Sequence, residues 1–208
     1  MKKQFLSLFA VIAFSAFIFT ACETDDATIT LLGDNPVEFD LGEEYEEPGF
    51  EVEGGNEDDV ATSFSPEYDK NKVNEYVLTY TLGTSSTTRT VHVTSDLLAG
   101  TYAVEDFEDG NPDPIYYNVT AAQSASEFNK LNISNFLGLD ISAAAVINGD
   151  DVMVAKHTPA GWADGESVEA TGSYSGENKE LLSFDYTIIE LYNEDVLTTT
   201  GTATFTKQ

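Results

Sequence analysis

Apolar and polar residues alternate with a period of two along most of the chain from Ile29 onward, the pattern of half-buried β-strands. Every second position is apolar in PVEFDLG (36–42) and EYVLTYT (75–81), and Val91 and Val93 repeat the pattern in TRTVHVT (88–94). Turn-forming residues separate these runs, for example Gly33-Asp34-Asn35-Pro36 and Gly54-Gly55-Asn56. No stretch shows convincing helical periodicity. The pattern predicts a small β-sandwich over residues 29–95.

Residues 97–208, after a boundary at Ser95-Asp96, show the same alternation. It predicts eight strands, at 101–105, 115–121, 130–135, 142–148, 151–156, 167–174, 181–191 and 196–206. Tight turns are predicted at 148–150 and 175–178, a short helix at 122–128 and a loop at 136–139. Eight antiparallel strands with short connections resemble the lipocalin-like barrels found in small Bacteroidetes lipoproteins. The interior of such a barrel is either filled by side chains or holds one small ligand. The predicted fold is therefore all-β, a β-sandwich followed by an eight-stranded antiparallel β-barrel.

The first 22 residues have the three-part layout of a secretory signal. Lys2 and Lys3 precede an uncharged apolar run (5–19), and small residues lead to Cys22, the only cysteine. A membrane-spanning helix is the alternative, but acidic residues follow rather than the positive cluster of a stop-transfer segment. An exported chain with a single cysteine has no internal disulfide partner.

The residues Phe19-Thr20-Ala21-Cys22 resemble the lipobox of bacterial lipoproteins, with Phe where the family usually has Leu. The resemblance implies that the Cys22 thiol is acylated and that the lipid anchors the chain to a membrane. The acidic residues after Cys22 resemble the surface-export signal of Bacteroidetes-type lipoproteins. This implies an outer-membrane lipoprotein at the cell surface, with a periplasm-facing position as the alternative. Residues 23–28 form a tether.

The order of motifs over 29–95 resembles the immunoglobulin-like domains near the N-terminus of many Bacteroidetes lipoproteins. The matching features are the Gly33 turn, the 37–41 strand, the Tyr45…Pro48-Gly49 corner, and the strands at 76–80 and 88–94. Those domains serve mostly as spacers or adhesion modules. The resemblance therefore implies a role in display.

Acidic residues outnumber basic ones, 37 to nine, and the formal net charge is −28. A field of this sign repels phosphate backbones, so nucleic acid is not a predicted partner. The charge favours solubility, with a cation-binding surface as the alternative. We also expect a monomer.

No residue set indicates an enzyme, and no catalytic residue is predicted. The only histidines are His92, expected on the polar face of a strand, and His157, in a loop. Acylation leaves Cys22 without a free thiol, and the common nucleophile, metalloprotease and phosphate-loop motifs do not occur. A glycoside hydrolase needs two carboxylates at a fixed separation, but this chain has so many that two will lie close together by chance. Such a pair is therefore weak evidence for catalysis.

One acidic segment, EDFEDGNPDP (105–114), is a candidate calcium loop, because it crowds oxygen ligands of the kind calcium needs. The candidate ligands are Asp106, Glu108, Asp109, Asn111 and Asp113. The spacing does not match the helical-loop calcium motif, so a solvated turn is the favoured interpretation. No other cofactor is predicted.

Trp162, the single tryptophan, lies on the loop PAGWADG (159–165). Such a residue can stack on a sugar ring, with Tyr116, Tyr117, Tyr192 and His157 beside it at strand ends or in loops. The alternative, which we favour, is that Trp162 caps the core.

Three functions follow from these observations. The first is a non-catalytic, surface-exposed binding or accessory lipoprotein, which the resemblance alone links to glycan uptake. The second is a lipocalin-like carrier of a small apolar ligand, which requires an open barrel interior. The third is a purely structural or adhesion protein used for display.

Overall fold

The period-two pattern produces two β-structured domains in the computed structural model, which describes residues 27–176, 178–193 and 195–208. The predicted signal segment and the lipidation site Cys22 lie outside the described residues, as does most of the tether. Within the described ranges, no helix is long and apolar enough to cross a membrane.

Six strands build the first domain. They are β1 (Thr28–Leu31), β2 (Val37–Asp40), β3 (Phe50–Glu53), β4 (Ala61–Ser65), β5 (Asn74–Leu82) and β6 (Ser85–Thr94). Strands β1 and β3 form one antiparallel sheet, and the second sheet has the order β2-β6-β5-β4, with β2 parallel to β6. The sequence pattern missed β4, because Phe64 is its only half-buried side chain and the strand lies at the sheet edge.

A buried arginine holds this domain together. Arg89 is 0% exposed, because it lies on the same face of β6 as the buried Val91 and Val93. Its guanidinium forms an ion pair with Glu47 at 3.1 Å and donates hydrogen bonds to the Tyr80 hydroxyl and to the carbonyls of Leu32, Asp34 and Gly49. The Glu47 carboxylate also accepts hydrogen bonds from the hydroxyls of Tyr45 and Tyr80. A buried charge is tolerated only when it is paired and hydrogen-bonded in this way.

Eight strands form the second domain, a closed antiparallel barrel. They are β7 (Gly100–Glu108), β8 (Ile115–Gln123), β9 (Lys130–Phe136), β10 (Ile141–Asn148), β11 (Asp151–His157), β12 (Ser167–Ser175), β13 (Leu181–Tyr192) and β14 (Asp195–Lys207). Each strand pairs with the next along the chain, and β14 pairs with β7 to close the barrel. The predicted fold class is confirmed. The predicted helix at 122–128 is wrong, because Ala122 and Gln123 continue β8 and pair with β9.

Side chains fill the barrel interior. Phe136, Phe184 and Phe205 lie at its centre, with ring centroids 5.1–6.4 Å apart. The backbones of β12 and β13 approach closely at Gly172, where a Cβ atom would lie 1.7 Å from the Ser183 carbonyl oxygen. An interior packed in this way leaves little room for an apolar ligand.

Alternate connections of an up-and-down barrel lie at opposite ends. The described residues of the proximal connections are 124–129, 149–150, 176 and 178–180. Those of the distal connections are 109–114, 137–140, 158–166 and 193. The first domain meets the proximal end. There the Tyr174 hydroxyl accepts a hydrogen bond from the Val73 N–H at 3.2 Å and donates to the Gly149 carbonyl at 2.7 Å.

A second contact joins the domains at the same end. The backbone N–H of Ser95 donates to the Phe128 carbonyl at 2.8 Å, and the His92 ring stacks on Phe128 with centroids 3.9 Å apart. His92 is therefore half-buried at the junction, and the expectation of a solvated strand residue is wrong. A single apolar core runs from Val91 and Val93 of β6 into the barrel.

Candidate functional site

Two strands extend past the rest of the barrel at its distal end. Pairing of β12 with β13 reaches only Ile189, and pairing of β7 with β14 begins only at Gly201. The end of β13 (190–192) and the start of β14 (195–197) therefore pair only with each other. Residues 198 and 199 of β14 pair with β13 on one side but have no strand partner on the other. We refer to residues 190–192 and 195–199 as the distal ribbon. Among the described residues, no strand pairs with the β7-facing edge of 195–199.

The distal ribbon carries exposed apolar side chains on both faces. Leu191 and Val196 lie opposite each other on one face, and the alternation of the strands puts Tyr192 and Leu197 on the other. Tyr192 is 72% exposed, Val196 65% and Leu197 54%. A solvated two-stranded hairpin normally has at least one polar face, so exposed apolar groups on both indicate an interaction surface.

Other exposed apolar side chains lie at the same end. Phe107 is at the end of β7, and Ile115 and Tyr116 open β8. Tyr116 is 69% exposed, and its hydroxyl donates to the Glu105 carboxylate at 2.8 Å. In the described part of the chain, seven of the ten large exposed apolar residues lie at the distal end. We refer to these seven residues as the distal patch: Phe107, Ile115, Tyr116, Leu191, Tyr192, Val196 and Leu197. The patch therefore belongs to one end of the barrel and not to its whole surface.

The Trp162 loop is tied to the distal ribbon through one carboxylate. Glu166 accepts hydrogen bonds from the backbone N–H groups of Leu191 at 3.1 Å and Ala163 at 2.7 Å. Both hydrogen bonds lower the pKa of Glu166 below its ordinary value, and the bond from Leu191 has the larger effect. Trp162 itself is half-buried and packs against the core. Its ring therefore contributes to closing the barrel at this end.

All four predicted ligand-binding residues lie at the distal end, around its rim. Tyr116 comes from β8, His157 ends β11, Trp162 lies between β11 and β12, and Tyr192 ends β13. Only the two tyrosines are strongly exposed. His157 is half-buried, and its Nδ1 lies 2.9 Å from the Ala155 carbonyl, so this nitrogen carries the proton and donates. The exposed aromatic rings are thus those of Tyr116 and Tyr192, and the register separates them. Tyr116 pairs with Glu105, which pairs with Thr204, whereas Tyr192 pairs with Asp195 at the far end of the ribbon.

The five predicted calcium ligands do not converge on one point. Asp106 faces the barrel interior and is 3% exposed, because β7 continues through it to Glu108. Asp109 accepts a hydrogen bond from the Thr200 hydroxyl, while the Asn111 side chain accepts one from the N–H of Asp113. Within the described ranges, no group of three or more His, Cys, Asp or Glu side chains is arranged to hold a metal ion. Calcium binding stays a prediction.

Asp106 instead belongs to a buried cluster of tyrosines. The Tyr186 hydroxyl donates to one carboxylate oxygen at 2.8 Å, and the Tyr117 hydroxyl donates to the other at 2.9 Å. Burial, together with this carboxylate, raises the pKa of both tyrosines well above the ordinary value. The cluster forms the floor of a depression of about 240 Å³ at the distal mouth, beside Leu137 and Leu139.

A larger recess lies on the outer wall of β11–β14 and reaches the base of the distal ribbon. Its volume is about 620 Å³, and its lining includes Met153, Thr171 and Asp185 together with Asp109 and Thr200. The lining mixes apolar, hydroxyl and charged side chains. The recess therefore adds a wall of mixed polarity to the distal patch.

These features define a class of protein: an immunoglobulin-like domain that carries a closed β-barrel with one free, apolar end. Residues 29–93 match a family model described as "Bacterial surface protein, Ig-like domain". The match covers the first domain and confirms the resemblance found in its sequence.

Two further comparisons concern the whole chain. Comparison with curated proteins gives no match. Among solved structures, the chain is similar to the crystal structure of the lipoprotein BT2262 from Bacteroides thetaiotaomicron. The two chains are 19% identical, the alignment covers 88% of this chain and 100% of the other, and the TM-score is 0.32. A score this low carries no argument about function.

Two functional features escaped the sequence analysis. The distal ribbon had a signal, because the adjacent apolar pairs Leu191-Tyr192 and Val196-Leu197 break the alternation of their strands. Arg89 had a weaker signal, because it lies in phase with Val91 and Val93 while its neighbours Thr88 and Thr90 are typical of a solvated strand.

Proposed function

We propose that the chain is a non-catalytic accessory protein of the bacterial cell envelope that binds a partner through the distal end of its barrel. The observation that carries this proposal is the concentration of exposed apolar side chains at the end that faces away from the first domain. The match of residues 29–93 to a bacterial surface domain supports a location in the envelope. The absence of a catalytic motif in the sequence favours binding over catalysis.

The proposed arrangement has three parts. A lipid on Cys22 holds the chain at the outer membrane, facing the cell exterior. The first domain is fixed to the proximal end of the barrel by the contacts of Tyr174, Val73 and Phe128. The barrel then presents its distal end away from the anchor.

A glycan is the first ligand class to test, because Tyr116 and Tyr192 offer exposed aromatic rings on which sugars can stack. The packed interior disfavours the carrier of an apolar ligand, since Phe136, Phe184 and Phe205 occupy the space such a ligand needs. Pure display without binding would leave the exposed distal patch without an explanation.

Affinity gels that contain soluble glycans test the ligand class. We expect at least one glycan to retard the protein, and the paired substitutions Tyr116→Ala and Tyr192→Ala to abolish retardation. Leu97→Ala is the control, because Leu97 is also an exposed apolar residue but lies between β6 and β7, at the proximal end. Retardation that persists without the two tyrosines would show that the glycan binds elsewhere.

Labelling cells with a fatty-acid analogue tests the anchor. The wild-type chain should incorporate the label, and Cys22→Ser should not. Protease added to intact cells should cleave the anchored protein if it faces outward. Label on the Cys22→Ser chain would contradict the proposed anchor, and resistance to protease before but not after cell lysis would contradict the outward orientation.

A further inference from the structure

The edge of β14 at the distal ribbon is an unpaired strand edge. The Thr200 carbonyl faces β7 and accepts a hydrogen bond from the Asp109 N–H at 2.8 Å. Because the direction of backbone groups alternates along a strand, the N–H and C=O groups of Val196 and Thr198 point the same way. In the described residues no strand occupies that side. This edge therefore offers two donors and two acceptors in strand geometry.

The edge lacks the features that normally protect a strand from pairing. Protected edges carry lysine, proline or a bulge. Residues 195–199 read DVLTT, without lysine or proline, and their register with β13 is unbroken from Asp195 to Thr206. Val196 and Leu197 add exposed apolar side chains on opposite faces. The segment has the properties of a strand that accepts a neighbour.

The charge around the edge indicates the chemistry of that neighbour. Carboxylates lie close to it: Glu190 and Asp195 are on the distal ribbon itself, Asp109 follows β7 and contacts Thr200, and Glu166 is on the Trp162 loop. The nearest lysine along the chain, Lys207, lies at the opposite, proximal end of β14, and Lys156 lies on the wall of β11. A second copy of the chain would bring its own net charge of −28 against this field. The complementary partner is basic.

We propose that residues 195–199 dock an extended, basic segment of another protein, which adds a strand to the barrel sheet. Main-chain hydrogen bonds to Val196 and Thr198 hold the segment. Its alternate apolar side chains cover Val196, and the aliphatic stems of its basic side chains cover Leu197 on the opposite face. Lysine or arginine side chains of the segment meet the surrounding carboxylates. This proposal rests on the proposed function, because it identifies the partner of the distal end.

The test uses the full mature chain and a synthetic peptide of about seven residues, the length of a typical strand, in which lysine alternates with valine. A second peptide has the same side chains but N-methyl groups on alternate residues, so that one edge cannot donate hydrogen bonds. A third has glutamate in place of lysine. We expect the first peptide to bind, and the other two to bind about tenfold more weakly or less.

Two variants at one position separate the backbone from the side chain. Thr198→Pro removes the edge N–H, and proline is tolerated on an edge whose N–H faces solvent. Thr198→Val keeps the N–H and the shape of the side chain. We expect Thr198→Pro to reduce binding about tenfold or more and Thr198→Val to leave it unchanged. Circular dichroism establishes that both variants fold.

Equal binding of the parent and N-methylated peptides would overturn strand docking, and this result does not depend on any variant folding. Failure of the parent peptide to bind at millimolar concentration would overturn it as well. The glycan gels show whether such a result affects strand docking alone or also the proposed function of the distal end. If retardation still depends on Tyr116 and Tyr192, the distal end remains the binding face and only strand docking is wrong.

Discussion

The two ends of the barrel differ in how they use their apolar and polar groups. At the proximal end, the Tyr174 hydroxyl, the Val73 backbone and the Phe128 ring are all in contact with the neighbouring domain. At the distal end, Tyr116, Tyr192, Val196 and Leu197 are each more than half exposed. One end is therefore a completed interface, and the other has the composition of an interface without its partner.

This difference separates stability from function in the chain. Residues of the first domain and the proximal end bury apolar area and satisfy polar groups, so substitutions there should cost folding free energy. Residues of the distal ribbon have few such contacts to lose. Substitutions there should change binding and leave folding nearly untouched.

The largest effect is expected in the first domain, from Arg89→Met. The substitution leaves the Glu47 carboxylate without its cation and the carbonyls of Leu32, Asp34 and Gly49 without a donor. We expect a loss of about 3–5 kcal/mol in the free energy of unfolding, measured with urea. Arg89→Lys should restore only part of it, because an ammonium cannot reproduce the fork of the guanidinium. A loss below about 1 kcal/mol would mean that Arg89 does not hold the domain together.

A matched pair of tyrosines compares the two ends directly. Tyr174→Phe removes the hydroxyl that joins Val73 and Gly149, and it should cost about 1–3 kcal/mol because buried backbone groups lose their partner. Tyr192→Phe removes a hydroxyl from a 72% exposed side chain and should change stability by less than about 0.5 kcal/mol. If urea unfolding showed that both substitutions lower the free energy of unfolding by the same amount, the proposed difference between the two ends would be wrong.

Acid should weaken the first domain through Glu47. Burial alone would raise the pKa of this carboxyl, but hydrogen bonds from Tyr45, Tyr80 and the Gly49 N–H, with the Arg89 charge, outweigh burial and hold the pKa below 4.5. As the pH falls, Glu47 therefore becomes protonated at a higher pH in the unfolded chain than in the folded one. The stabilisation is present above about pH 4.5 and is lost as the pH falls through the lowered value.

The measurement is urea unfolding of the wild type and of Glu47→Gln over a series of pH values. The difference in unfolding free energy between the two proteins should shrink as the solution becomes acidic, because both then carry a neutral side chain at this position. A difference that is independent of pH would show that the Glu47 charge does not stabilise the fold.

The smallest effect on stability is expected at the distal ribbon. Leu197→Ser should change the free energy of unfolding by less than about 0.5 kcal/mol, because the side chain is already 54% exposed. The same substitution should weaken peptide binding, since it removes apolar surface that the partner covers. A large loss of stability would mean that the ribbon is part of the folding core.

Much of the fold could be predicted from the alternation of residues. All eight barrel strands were found, because a strand with one buried face repeats strictly with a period of two. The end of β7 was missed, since a buried Asp106 reads as a solvated residue until Tyr117 and Tyr186 are seen to satisfy it. The predicted helix at 122–128 failed because pairing with β9 outweighed the weak local preference of its residues.

The candidate site was predicted only in part. The up-and-down order of strands already places Tyr116, His157, Trp162 and Tyr192 at one end. How exposed these side chains are depends on how far β13 and β14 extend past β12 and β7. That extension is set by the register between neighbouring strands, which the length of a strand does not determine. The unpaired edge at Val196 and Thr198 follows from the register and therefore required the structure.

Amide hydrogen exchange of the full mature chain, with and without saturating lysine–valine peptide, tests the central claim most directly. The claim is that the distal end is the binding face and that its β14 edge accepts a strand. We predict that the peptide slows exchange at Val196 and Thr198 and leaves the amides of Val73 and Ser95 at the proximal end unchanged. Slower exchange at the proximal end, or none at Val196 and Thr198, would contradict the claim.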